Sequence, residues 1–183
     1  MIRFAFSALL LFSTLAHAAV EDIVNFRQYS EVFASSGQPT GAQLRDAEAQ
    51  NYQRVIYLAY TDNHSAIEHE DRQVLDLGME YVQLAVDFEA PTLAEFETFA
   101  AIMQRYSNKK TLLHCQVNFR ASTFSFLYRV IYQQVPMHQA KADLDSVWQP
   151  NETWFRFLVS VLEAHGLTHQ CDRCDWGALE FVK

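Results

Sequence analysis

The segment at 111–122, TLLHCQVNFRAS, constrains this chain more than any other. Thr111, Leu112 and Leu113 lead to His114 and Cys115. A polar stretch follows, and then Arg120 opens an apolar stripe of Phe124, Leu127, Tyr128 and Ile131 at helical spacing. A short apolar strand that passes through a tight loop into a long apolar helix belongs to a βαβ arrangement. Such a strand is covered on both faces, so it demands parallel neighbours and helices above and below.

The rest of the chain supplies them. Residues 31–36 read as a short strand that turns at Gly37, Gln38 and Pro39, and Thr40 with Gln43 makes a capping box for a helix reaching Gln50. Residues 54–60, RVIYLAY, suit a second buried strand. A helix is expected within 62–78, with Ile67, Val74, Leu75 and Leu77 on or near its inner side and Gly78 ending it. A strand over 80–86 leads to the polar loop 87–91, and Thr92 with Glu95 then caps a helix carrying Leu93, Phe96, Phe99, Ala100 and Met103. The helix at 120–134 is stopped by Pro136, and two further helices are expected at 137–148 and 152–165. The fold expected is an α/β three-layer domain with a small, mainly parallel sheet and a helical C-terminal block. Ligands of such sheets bind beyond the carboxyl ends of the strands. The loops 87–91 and 115–120 both leave from those ends, which brings Asp87 and Cys115 toward one crevice.

Cys115 is the candidate nucleophile. Backbone N–H groups of Gln116, Val117, Asn118 and Phe119 curled around the sulfur, the positive end of the following helix and the Arg120 guanidinium would all favour the thiolate. The same donors suit a phosphate, whose oxygens the planar fork of Arg120 matches in pairs. Attack on phosphorus would give a phosphocysteine, hydrolysed in a second step. Asp87 is the candidate general acid for the leaving oxygen, with Glu89 as the alternative. His114 is expected to orient the loop or moderate the thiol, and Ser122 to donate a hydrogen bond that eases departure of the thiolate. Each has a plain structural reading too: a core cysteine, a satisfied histidine, a serine favoured at a helix start. Phe88 and Phe119 either line a pocket or pack the core, and His64 and His69 are expected to face solvent.

Residues 1–18 read as a signal peptide: Arg3, an apolar run at 4–15, and the small-x-small site Ala16, His17, Ala18. The run is too short to span a bilayer, and no cysteine follows for a lipid anchor. The product is expected in the periplasm or outside the cell, with 19–183 forming one domain that ends in a short CxxC tail. The formal charge of −8 becomes −9 without Arg3, which argues against nucleic acid or an anionic membrane as partner. A phosphorylated small molecule or phosphoprotein stays compatible, because a single phosphate site depends on local donors. Cys171 and Cys174 are expected to form a local disulfide, leaving Cys115 free. No cofactor and no metal is expected, since His165 and His169 lie near that pair without finger spacing. The oligomeric state stays open.

Three ordered segments resemble the cysteine-dependent protein phosphatase superfamily, specifically its bacterial group with ASSGQPT-type and HC…NxRxS segments. Here they are 34–40, 86–92 and 114–122, and the likeness runs from Phe26 to Trp148. The resemblance implies a dual-specificity-like fold with Cys115 as nucleophile, Arg120 as phosphate clamp and Asp87 as acid by position. Gln38 and Pro39 would lie near the site. The superfamily loop usually places arginine six residues after cysteine with a hydroxyl directly following. Here Arg120 comes after five, and the hydroxyl waits until Ser122. Rhodanese-like sulfurtransferases use that shorter offset. Sulfur transfer through Cys115, and a phosphate- or phosphoprotein-binding module with a degenerate site, are therefore the alternatives to phosphoester hydrolysis.

Overall fold

A computed structural model describes residues 18–177 and Leu179. The expected signal peptide lies, apart from Ala18, outside the described residues. The elements run β1 (Arg27–Ser30), β2 (Phe33–Ser36), α1 (Gly41–Ala49), β3 (Arg54–Tyr57), α2 (Glu70–Asp76), β4 (Glu80–Gln83), α3 (Leu93–Arg105), β5 (Thr111–His114), α4 (Phe119–Ile131), α5 (Met137–Asp145) and α6 (Glu152–Ala164). The sheet order is β1-β2-β5-β3-β4. Strand β5 sits at its centre, parallel to β2 and β3, and β4 is parallel to β3. Only β1 is antiparallel, forming a hairpin with β2. That hairpin was not anticipated, because the half-buried RQYS segment has little apolar content to announce a strand.

Both capping boxes form, at Thr40 with Gln43 and at Thr92 with Glu95. One face of the sheet packs Val55, Leu112 and Ala34 against Leu44, Ala47 and Val74 of α1 and α2. The other packs Ile56 and Leu113 against Phe96, Phe99, Phe124, Trp154 and Leu158 of α3, α4 and α6. Helices on both faces and a central buried strand give the expected three layers.

Two expectations are corrected. The helix expected within 62–78 forms as Glu70–Asp76 and ends before Gly78, but turns precede it, so Ile67 lies outside it, and Leu75 is exposed rather than inward. The cause is local: Asn63 Oδ1 accepts the Ser65 backbone N–H at 2.9 Å, a turn that competes with helix formation. His69 then takes a left-handed φ of 54° before the helix can start. Helix α4 ends at Ile131, with Gln134 left-handed at φ 55°, so Pro136 does not stop it but begins α5 as its N-cap.

Candidate active site

The carboxyl ends of β2, β5 and β3 converge on one loop. The Cys115 N–H donates to Ser36 O at 3.2 Å and the Leu58 N–H donates to His114 O at 2.9 Å, so both flanking strands hold the point where β5 stops. Cys115 is a free cysteine with no exposed surface. Asn118 turns the chain with a φ of 73°, a conformation that asparagine tolerates better than most residues. Helix α4 begins at Phe119, and its first intrahelical bond is from Ser122 N–H to Asn118 O at 2.8 Å. The N–H groups of Phe119, Arg120 and Ala121 therefore precede the helical ladder, at the positive end of the helix.

The N-terminal segment buttresses this loop. Gln38 N–H donates to Gln116 O at 3.0 Å, Asn25 Nδ2 to Val117 O at 2.9 Å, and Asn118 Nδ2 to Asn25 O at 2.6 Å. Gly37 packs so closely that an added Cβ would lie 2.9 Å from Gln116 O and 3.2 Å from Val117 Cα. Gln38 is thus beside the loop, with Pro39 next to it in the chain.

Arg120 is nearly buried. Its Nε donates to Val86 O at 2.9 Å and one terminal nitrogen to Gln116 Oε1 at 3.2 Å, and its guanidinium lies 5.1 Å from the Phe88 ring centre. Trp154 Nε1 donates to Phe88 O at 2.9 Å. The carbonyls on either side of Asp87 in the chain are therefore both pinned, one by the loop arginine and one by α6. Asp87 itself is exposed and accepts the Glu89 N–H at 2.9 Å; Glu89 is exposed as well. Phe119 stacks on Trp148 with ring centres 4.4 Å apart, which makes it a packing residue as well as part of the cleft wall. A cleft of about 380 Å³ opens over the loop, lined by His64, Ser65, Phe88, Gln116, Val117, Phe119 and Arg120. His64 is exposed, as expected, yet it forms one wall of this cleft.

His114 and Ser122 flank this loop, one ending β5 and the other in the first turn of α4. The Ser122 hydroxyl donates to Phe119 O at 3.2 Å, a bond within its own helix. His114 is fully buried, stacks on Tyr57 with centres 4.5 Å apart, and has Nε2 3.4 Å from Glu70 Oε1. That separation suits an ion pair, but neither ring nitrogen makes a hydrogen bond. Burial pushes the His114 pKa down to about 3, with the Cys115 backbone opposing. Burial likewise pushes Glu70 up to about 7, opposed by its hydrogen bond from Gln38 and reinforced by Asp71. An ion pair would move both values the other way, so burial favours the uncharged form of each group over the ion pair. Sequence reasoning did not find Glu70, Asn25, Trp148 or Trp154. Only the Gly37 position carried a signal, a lone glycine at a strand end.

Cys171 and Cys174 form the expected disulfide, and no group of metal-binding side chains occurs among the described residues. No described helix is long and apolar enough to cross a membrane.

Residues 9–153 match the family described as DSP-PTPase phosphatase fused to NAD+ kinase. Among solved structures, the chain is similar to a candidate phosphatase of the DUF442 group from Shewanella putrefaciens CN-32. The two are 28% identical with a TM-score of 0.73, over 80% of this chain and 96% of that one. Tk-PTP in its active form is 15% identical with a TM-score of 0.65, over 76% of this chain and 97% of that one. PTPMT1 in complex with PI(5)P is 15% identical with a TM-score of 0.66, over 77% and 96% respectively. These last two likenesses establish the fold alone. No curated protein matches the sequence significantly.

Proposed function

Because the chain belongs to the DSP-PTPase phosphatase family, whose chemistry is phosphoester hydrolysis, we propose that it runs this reaction through a phosphocysteine on Cys115. One observation carries the reading. Free Cys115 heads the loop from the central strand into α4, and Arg120 of that loop is locked to the carbonyl beside Asp87.

The Cys115 thiolate attacks phosphorus, forming the S–P bond as the P–O bond to the leaving group breaks. The protonated Asp87 carboxyl gives its proton to the departing oxygen. Water then attacks the phosphocysteine, the Asp87 carboxylate takes its proton, the S–P bond breaks and the thiolate returns. Charge on the equatorial oxygens is met by the loop N–H groups and by Arg120, which exchanges Gln116 Oε1 for phosphate oxygens. The substrate is a phosphorylated small molecule or phosphoprotein. Phe88, Val117 and Phe119 in the cleft favour an apolar or aromatic group beside the phosphate. Arg120 is the sole arginine or lysine in that lining, which disfavours polyanionic headgroups. The sequence features of an export signal and the Cys171–Cys174 disulfide support a periplasmic or secreted location.

The test incubates the purified protein with a chromogenic aryl phosphate, in parallel with thiosulfate and cyanide, with Cys115→Ser as the blank. Cys115-dependent phosphate release is expected. Thiocyanate without phosphate release would overturn the proposal in favour of sulfur transfer.

A further inference from the structure

A second cavity, of about 780 Å³, lies between α2 and the β3–β4 edge of the sheet, with the exposed Glu68, His69 and Asp71 in its lining. Glu70, at the start of α2, forms part of its wall and is itself almost wholly buried. Its carboxylate makes two connections to the loop. Oε1 accepts the Gln38 side-chain N–H at 2.7 Å, and the Gln38 backbone N–H holds Gln116 O. The same Oε1 lies 3.4 Å from Nε2 of His114, the residue immediately before Cys115. Glu70 is thus the only carboxyl among the described residues that an ion-pair contact joins to His114.

We infer that Glu70 is a positioning residue that passes a proton to His114 when Cys115 ionises. The inference rests on Cys115 as the nucleophile of the proposed reaction. In the resting site burial holds the imidazole neutral and raises the Glu70 carboxyl to about 7, so its protonated form is present near neutrality. Neither His114 ring nitrogen makes a hydrogen bond of full geometry, although the Cys115 backbone lies beside the ring, and Glu70 Oε1, 3.4 Å from Nε2, is the carboxyl oxygen placed to donate to it. When the Cys115 S–H proton leaves to bulk water, the Glu70 O–H bond breaks and an Nε2–H bond forms. The positive charge then sits on the residue next to the thiolate, and the negative charge on the cavity side. One proton moves within the pair and one leaves the thiol, so charge and atoms balance.

The surroundings fit. The titratable groups around Glu70 are Asp71 on its own helix, Tyr57 on β3, Tyr81 on β4 and His114 on β5, with the exposed Glu68 and His69 at the cavity mouth. Neither tyrosine ionises near neutrality, since burial raises Tyr57 to about 12 and Tyr81 further. Burial first, and Asp71 to a lesser degree, oppose ionisation of Glu70, while the Gln38 hydrogen bond favours it, so a protonated carboxyl is available up to about pH 7. Loss of this arrangement leaves a neutral histidine and a less stabilised thiolate.

The experiment titrates the thiolate absorbance of Cys115 in the ultraviolet, taken as the difference from Cys115→Ser, for wild type and Glu70→Gln. Glutamine keeps the shape and can still donate to Nε2, but has no proton to give. The thiol pKa is expected to rise by about one unit in Glu70→Gln, as for loss of a nearby opposite charge. The acidic limb of the kcat/KM profile should rise with it. An unchanged thiol pKa in folded Glu70→Gln overturns the inference. If that variant does not fold, nitrogen NMR of wild-type His114, identified by its loss in His114→Asn, decides the matter. The ring nitrogens should move toward the imidazolium position as Cys115 ionises, and a ring that stays neutral overturns the inference. A shifted thiol pKa without aryl phosphate turnover would leave the proton transfer standing and remove the phosphatase reading instead.

Discussion

Gly37→Ala is the substitution by which the buttress under the loop is best judged. The added Cβ would lie 2.9 Å from Gln116 O, 3.0 Å from Val24 O and 3.2 Å from Val117 Cα. Ordinary contact begins at 3.4 Å, so the first carbonyl must retreat by 0.5 Å (3.4 minus 2.9). All three neighbours are backbone and cannot rotate away. Two are also hydrogen-bonded here, Gln116 O to Gln38 N–H at 3.0 Å and Val24 O to Gly37 N–H at 2.7 Å, so retreat stretches those bonds. Overpacking of this kind costs about 1–3 kcal/mol. In a domain of this size each kcal/mol lowers Tm by about 2–4 °C. The displaced atom belongs to the residue after Cys115. A misplacement of about 1 Å costs roughly a hundredfold in rate, so half of it should cost on the order of tenfold in kcat/KM. Gly41→Ala is the control: its Cβ would crowd the flexible end of the Gln73 side chain and otherwise meet Arg45 at ordinary contact distance, and Tm and rate should hold within about 0.5 kcal/mol. Thermal melts and aryl phosphate kinetics on both variants give the comparison. A Gly37→Ala protein with wild-type Tm and kcat/KM would refute the reasoning.

Three other outcomes are expected. Asp87→Asn keeps an oxygen for the Glu89 N–H, so Tm should be unchanged while hydrolysis of alkyl phosphates falls by about 10²–10⁴. Equal loss on phosphates with good and poor leaving groups would remove Asp87 as the acid. Asn118→Ala loses the bond to Asn25 and places alanine at a φ of 73°, at a cost of about 1–2 kcal/mol for the backbone alone; Asn118→Gly, which relieves the backbone, should melt between it and wild type. Glu70, raised in the folded protein from 4.5 to about 7, contributes stability that is present below pH 4.5 and lost as pH rises through 7. Glu70→Gln should therefore gain in Tm relative to wild type between those limits, and a difference independent of pH would contradict the burial argument.

The sheet and its central strand were legible because their signals are local. RVIY and TLLH are continuous buried runs, and the two capping boxes mark α1 and α3 in four residues each. The loop from Cys115 to Arg120 was legible for the same reason, since residue type and order already expressed it. The segment at 61–69 misled because its apolar residues, Ala66 and Ile67, lie among polar ones that close turns instead. Other parts of the site depend on contacts across the fold. Trp154 holds Phe88 O from 66 positions away, and Asn25 holds Val117 O from 92. Glu70 reads in sequence as one more acid at a helix start. Only the packing of α2 beneath β3 and β5 buries it against His114, and no pattern in the chain anticipates that.

The central claim is a covalent phosphate on Cys115. The direct measurement is rapid acid quenching of the protein with an aryl phosphate, followed by peptide mass spectrometry. The account predicts phosphate on the Cys115 peptide, absent in Cys115→Ser and formed as fast as the first turnover. Turnover with no phosphate on that peptide, or with phosphate on another side chain, would contradict it.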